Sequence, residues 1–205
     1  MPVDWKDELE GIEARRRIAA ELGGAEATEK QHAAGRLTIR ERIDALIDPG
    51  TFREQGPIAG YSERDEAGRL KTFVPANYVL GFAKIDGRPV LVGGEDFTQR
   101  GGSPSSAGNR KSVYLEELAC SHRLPMIRLL EGGGGSVARR RGPGAPDAGP
   151  DPAAAPRFMS IMRAMGDVPV VSAALGAVAG MPAARLVSSH LSLMTRSSQV
   201  LIGGP

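Results

Sequence analysis

The chain has one cysteine, Cys120. That excludes an internal disulfide framework and a cysteine-based metal site, and within a helical pattern it reads as a small buried hydrophobe. Histidine is nearly as scarce. His32, His122 and His190 share no metal-ligand spacing, so no metal is expected. Aromatic residues make up only 4% of the chain, and 26 Lys+Arg against 24 Asp+Glu leave a net charge of +2. That near balance does not argue for nucleic acid, and the basic residues are not interleaved with stacking rings. The dense basic run Arg139-Arg140-Arg141 abuts Gly142-Pro143-Gly144 and reads as a solvated loop. No apolar run approaches the roughly 20 residues of a membrane span. The N-terminus carries Asp4, Lys6, Asp7 and Glu8 instead of a signal-peptide pattern. No nucleic acid, no membrane and a cytoplasmic location are therefore the expectations.

What is present suits an α/β layered fold. The 205 residues are enough to bury a real core. Residues 4–22 predict a charged helix with Trp5, Leu9, Ile12 and Ile18 as apolar anchors. Thr38-Ile39-Arg40-Glu41 is a capping box, and Ile39, Ile43, Leu46 and Ile47 follow one helical face until Pro49-Gly50. From Ala76 the period changes to two. Asp86-Gly87 supplies a hairpin turn between strands that are apolar on both faces, so both faces are expected to be covered. A Gly/Ser loop at 99–108 leads into a helix at 106–121 with Val113, Leu115, Leu118 and Ala119 inward. Prolines crowd residues 139–156, and 138–156 reads as a mobile loop. A helix at 157–165 is expected to turn Phe158, Ile161, Met162 and Met165 inward. A helix from Pro182 and short strands at 191–195 and 199–202 follow. The order β-β-α-β-α-β-α-β gives the fold class.

A strand-to-glycine turn occurs twice in this pattern. Pro125-Met-Ile-Arg-Leu-Leu-Glu131 runs into Gly132-Gly-Gly-Gly-Ser136, and Val168-Pro-Val-Val-Ser-Ala-Ala-Leu175 runs into Gly176-Ala-Val-Ala-Gly180. Glycine leaves the backbone permissive and its N–H groups open. Two such turns on neighbouring strands would aim amide donors at one point, the geometry an oxyanion needs. The same glycines also read as plain flexible turns. A nucleotide-phosphate cradle fits less well, because Gly-x-Gly-x-x-Gly is not met and no Gly-Lys-Ser/Thr follows.

Six segments in this order resemble the N-terminal domain of biotin-dependent acyl-CoA carboxyltransferases, the family of the propionyl-CoA and acetyl-CoA carboxylase beta subunits within the crotonase-like superfamily. They are the segment Gly35-Arg-Leu-Thr-Ile-Arg-Glu-Arg-Ile-Asp, the turn Asp86-Gly-Arg-Pro-Val and the loop Asp96-Phe-Thr-Gln-Arg-Gly-Gly-Ser103. Glu131-Gly-Gly-Gly-Gly-Ser136 stands in place of Asp-Ser-Gly-Gly-Ala-Arg, and Gly176-Ala-Val-Ala-Gly-Met181 in place of Gly-Pro-Cys-Ala-Gly-Gly. The ending is Ser197-Ser-Gln-Val-Leu-Ile-Gly-Gly-Pro205. The resemblance implies a crotonase-type β-β-α spiral at residues 35–205, with 1–34 as an N-terminal helical extension.

It also implies an activity: holding a coenzyme A thioester and stabilising its enolate for carboxyl transfer from carboxybiotin. By correspondence Gly135 and Gly180 are the two backbone donors, with Gly134 and Met181 beside them. Ser136 replaces the family's arginine and Met181 its glycine, which marks a divergent branch. Arg100, Gly101, Gly102 and Lys111 correspond to positions suited to coenzyme A phosphates. His190 stands where the family has aspartate and reads as structural. The implied partners are a C-terminal carboxyltransferase half or subunit, a biotin carboxyl carrier and a biotin carboxylase, within a homo- or hetero-oligomer. The general base is not identifiable from the sequence; the resemblance implies that the carboxybiotin side supplies it. Two rivals share these residues: a decarboxylase subunit running the transfer in reverse, and a non-catalytic coenzyme A-binding or assembly subunit.

Overall fold

The computed structural model describes residues 5–134 and 157–202. Three helices come first: α1 (Lys6–Ala20), α2 (Ala25–Ala33) and α3 (Ile39–Leu46). The expected capping box forms at α3, where Thr38 accepts from the Glu41 amide at 3.4 Å and Glu41 accepts from the Thr38 amide at 2.7 Å. Along α1 the expected anchors are only partly right. Trp5 and Leu9 are exposed, Ile12 and Ile18 are half-buried, and Ala19 is buried. The helix is charged nearly all round, and only Ala19 is buried in it.

Strands β1 (Arg53–Glu54), β2 (Gly60–Arg64) and β3 (Leu70–Pro75) follow, with β2 and β3 forming a separate antiparallel ribbon. Next comes the expected hairpin, β4 (Tyr78–Ile85) and β5 (Arg88–Glu95). Asp86 and Gly87 both adopt positive φ, 50° and 74°, as a tight two-residue turn requires. The Asp48 carboxylate accepts from both turn amides, at 2.9 and 2.8 Å. Helix α4 (Ser106–His122) leads to β6 (Met126–Gly132). Helix α5 (Arg157–Asp167) then precedes β7 (Val170–Ala179), α6 (Met181–Val187), β8 (Leu191–Met194) and β9 (Gln199–Leu201).

Among the described residues the main sheet has seven strands, ordered β1-β4-β5-β6-β7-β8, with β9 also paired to β7. Strands β5 to β8 and β9 are parallel, while β1, β4 and β5 are antiparallel. The hairpin is covered on both faces, as its patterning requires. Leu80 and Leu91 pack with Leu115, Ala119 and Cys120 of α4. Val79, Ala83 and Val92 point the other way, onto Ile39 and Ile43 of α3. On α5 the expected inward face is half wrong. Ile161 and Ala164 are buried and Met165 packs against the core, but Phe158 and Met162 are exposed, Met162 at 67%. The expected loop at 138–156 lies outside the described residues.

Candidate functional site

Strands β6 and β7 are neighbours, so the two glycine segments do meet. Their parallel register runs from Met126↔Val170 to Leu130↔Ala174 and resumes at Gly132↔Val178. The break between Leu130 and Gly132 gives β7 extra residues opposite Glu131. Gly176 sits there, inside the strand. This corrects the sequence reading, which ended the strand at Leu175 and placed the turn at Gly176. A Cβ on Gly176 would collide with the Glu131 carboxylate, so its glycine serves a side chain and not a turn. Ala177 to Ala179 continue the strand by pairing with Gln199 to Leu201 of β9.

The turn itself is Gly180, with φ 65° and ψ −128°, a conformation that favours glycine. Its amide is engaged, donating to the Leu201 carbonyl at 3.0 Å. The resemblance implies Gly180 as an oxyanion donor; here the pairing with β9 takes that N–H. The next residue, Met181, opens α6, and a first-turn amide has no intrahelical acceptor. Pro182 follows in the first turn, where its missing N–H is harmless. Leu186 and Ala183 anchor this short helix in a cluster with Leu130, Ala174 and Val178.

Gly134 completes the meeting point. It has φ 75°, and a Cβ there would stand 3.1 Å from the Ala179 carbonyl oxygen. The positive φ and the tight spacing together favour a residue without a side chain where the two segments meet. Gly135 and Ser136 lie outside the described residues, as does the Arg139–Arg141 run.

Arg100–Gly102 form one 3-10 turn, all three at positive φ. Gly133 donates to the Gly101 carbonyl at 2.9 Å, and Gly102 has no room for a Cβ against Glu131 and Gly132. Gly101 and Gly102 thus belong to the glycine meeting point, with Arg100 exposed on its rim. Lys111 does not join them. It is 7% exposed and donates to the Gly56 carbonyl at 3.1 Å. Burial pulls its ammonium down to about 8.

Two buried polar clusters support the site. Neither had been assigned a role from sequence. The first centres on Glu131, which is fully buried and is held by Gln31 at 3.1 Å, Arg36 at 3.1 Å and Arg42 at 2.5 Å. Arg36 also lies over the Phe97 ring, 5.7 Å from its centroid. The second centres on Glu116, which accepts from Arg128 at 2.9 Å, Arg185 at 2.8 Å and Ser160. The signal for both was in β6: Arg128 and Glu131 are charges inside an otherwise apolar strand, and buried charges need partners. His190 is structural as expected, accepting from the Val170 amide at 3.0 Å.

A mixed sheet whose parallel strands β6 and β7 end together in glycine segments is the frame of a crotonase-like α/β domain. The chain belongs to the carboxyl transferase domain family, whose model matches residues 30–205. It is 31% identical over 206 residues to the propionyl-CoA carboxylase beta chain of Roseobacter denitrificans, covering 98% of this chain and 38% of that one. The corresponding beta chain of Cereibacter sphaeroides is 33% identical over 201 residues, again covering 98% and 38%. Among solved structures, transcarboxylase 12S with methylmalonyl-coenzyme A bound superposes with a TM-score of 0.74 at 25% identity, covering 100% of this chain and 39% of that one. The chain thus spans well under half the length of these relatives.

Proposed function

We propose that this chain is the acyl-CoA-binding and enolate-stabilising part of a biotin-dependent acyl-CoA carboxyltransferase. The observation that carries the reading is the close approach of the β6 and β7 ends, Gly134 against Ala179, with Met181 opening α6 beside them. On this reading the Met181 amide donates to the thioester oxygen, and the resemblance adds Gly135, which lies outside the described residues, as the second donor. Removing the α proton moves electron density onto that oxygen, and amide donors aimed there stabilise the developing charge. One such donor is worth about 10²–10³ in rate. Arg100 on the rim and the Gly101–Gly102 backbone suit the coenzyme A phosphates, because an exposed guanidinium pairs with phosphate at little desolvation cost.

When bound, carboxybiotin supplies the carboxyl group that the enolate carbon accepts. Its delivery requires a biotin carboxyl carrier and a biotin carboxylase. A C-terminal carboxyltransferase half or subunit completes the site within a homo- or hetero-oligomer. Among the described residues no helix is long and apolar enough to cross a membrane, and a cytoplasmic location accords with this reading.

Titration of the chain with acetyl-CoA and propionyl-CoA, followed by a carboxyl-transfer assay with and without a complementary C-terminal half, tests the proposal. Binding together with transfer that depends on the second half is expected. Binding without transfer in any combination identifies an assembly subunit instead. Met181→Pro and Met181→Ala probe the donor, since only proline removes the amide and proline suits the first helical position. Met181→Pro should lower kcat by about 10²-fold with KM nearly unchanged, while Met181→Ala retains most activity. A near-normal rate for Met181→Pro removes that amide from the mechanism.

A further inference from the structure

A single carboxylate joins the elements that carry the glycine meeting point. Glu116 of α4 and Arg128 of β6 are fully buried, and Arg185 of α6 is 2% exposed. Both guanidiniums rest on Oε1 of Glu116, Nη2 of Arg128 at 2.9 Å and Nε of Arg185 at 2.8 Å, while Oε2 accepts from the Ser160 hydroxyl of α5. Arg128 also donates through Nη1 to the carbonyls of Arg185 and Ser188, at 3.1 and 3.2 Å. Arg185 is in the last turn of α6 and Ser188 follows it, where carbonyls lack an intrahelical donor. The cluster thus grips α6 both by a side chain and by its C-terminal backbone.

Packing already holds α6, since Ala183 and Leu186 sit in an apolar cluster with Leu130, Ala174 and Val178. Well-packed apolar side chains often replace a buried ionic triad without loss of stability, so stability alone does not account for this one. What the triad adds is direction. Hydrophobic contact is non-directional and lets a seven-residue helix turn or slide, whereas hydrogen bonds fix distance and angle. Arg185 lies four residues, or about 6 Å, along the helix axis from Met181, and both residues line one small cavity. Fixing the turn of Arg185 therefore fixes the turn that presents the Met181 amide. Arg128 belongs to β6, the strand that runs into Gly132, Gly133 and Gly134. Through these two arginines one carboxylate sets the end of β6 against the start of α6.

We infer that Glu116 is a positioning residue, which through Arg128 and Arg185 fixes the Met181 amide relative to the end of β6. It touches no substrate. Its effect on chemistry rests on the carboxyltransferase reading, in which that amide donates to the thioester oxygen. An amide held in place before the charge develops needs no reorganisation during the reaction, and a donor displaced by about 1 Å can cost about 10² in rate.

The experiment is NMR of acetyl-CoA carrying carbon-13 at its thioester carbonyl, bound to the wild type, to Glu116→Gln and to the triple variant Glu116→Leu, Arg128→Met, Arg185→Met. Glu116→Gln leaves two buried guanidiniums on a neutral acceptor and risks the fold. The triple variant replaces all three charges by apolar groups and is expected to keep it. A donor on the thioester oxygen moves the carbonyl resonance downfield, a signature that a merely structural role would leave unchanged in a folded variant. The expected result is a downfield shift in the wild type and loss of most of it in the triple variant, at an unchanged urea midpoint and with affinity for acetyl-CoA within about 3-fold. In the transfer assay with a complementary C-terminal half, kcat of the triple variant should fall about 10²-fold with KM nearly unchanged. A triple variant that folds and keeps both the shift and kcat overturns the inference and leaves the carboxyltransferase reading standing. Unfolding of both variants makes the cluster a structural one and also overturns it. A wild type that binds acetyl-CoA without a shift, or does not bind it, overturns the reading and the inference together.

Discussion

Position 111 puts an ammonium inside the protein, where it donates to the Gly56 carbonyl at 3.1 Å and is only partly offset by the Glu54 carboxylate. Desolvation is the main reason its pKa falls from 10.5 to about 8. The folded state therefore binds this proton less tightly than the unfolded chain does. Between about 8 and 10.5 the unfolded chain keeps the proton and the folded chain releases it, so this group's contribution to stability rises with pH across that window. Below it, holding the charge costs on the order of 3 kcal/mol. Lys111→Met should be more stable than the wild type near pH 7, with the difference shrinking as pH approaches 10. Urea denaturation of both proteins at the two pH values measures it; a constant difference refutes the account.

Glu95 is shifted the opposite way for the same reason. Burial raises the pKa of its carboxyl, so the folded state holds the proton more tightly than the unfolded chain. Its contribution is fully present below the ordinary carboxylate range and is lost as pH rises toward the folded pKa. Glu95→Gln should therefore match the wild type in acid and exceed it in thermal midpoint at neutral pH. An equal midpoint at pH 7 would show that the carboxyl ionises freely. Neither shift was legible in the sequence. Lys111 was expected at coenzyme A phosphates, and no local pattern in helix α4 marks it as buried.

At the scale of elements, Glu131 joins parts of the chain that the sequence left separate. One carboxylate at the end of β6 is gripped by Gln31 of α2, by Arg36 in the connection and by Arg42 of α3, and it lies over Gly176 of β7. Gly176→Ala should destabilise by about 2–4 kcal/mol, since the new methyl has no place unless a clamped, buried carboxylate moves. Combining it with Glu131→Ala should recover much of that loss, and a double-mutant cycle in urea tests the coupling. Additive losses would mean that the two do not interact.

The same comparison explains what was readable. The β4–β5 hairpin and α3 were legible because a two-residue Asp-Gly turn and a capping box are local chemistry. Helix α2 was not, since its sequence is polar and only Gln31 is buried, nor was the β2–β3 ribbon, whose β2 is exposed throughout. The meeting of the two glycine segments was legible as a place. The engagement of the Gly180 N–H was not, because its pairing with Leu201 depends on β9, a distant partner that no local pattern reports.

Across the whole molecule, the apolar surface is unevenly placed. Leu191, Leu193 and Met194 of β8, Leu201 of β9 and the adjoining Ile202 are all exposed, together with Val187 of α6. Strand β8 pairs only with β7 among the described residues, so its other edge presents free backbone groups as well as leucines. A patch that combines apolar side chains with an open strand edge drives association in water. The propionyl-CoA carboxylase relatives are more than twice as long as the matched region, which leaves ample chain in them to meet such a face. The chain on its own should therefore self-associate at micromolar concentration. Leu193→Lys, which places a charge on the open strand, should shift it toward monomer while changing stability by only about 0.5 kcal/mol, as expected for an exposed site. Sedimentation velocity over a hundredfold concentration range reads the outcome. A wild type that stays monomeric throughout would mean that the exposed leucines are too dispersed to act as one surface, and that pairing with a second half must rest on other contacts.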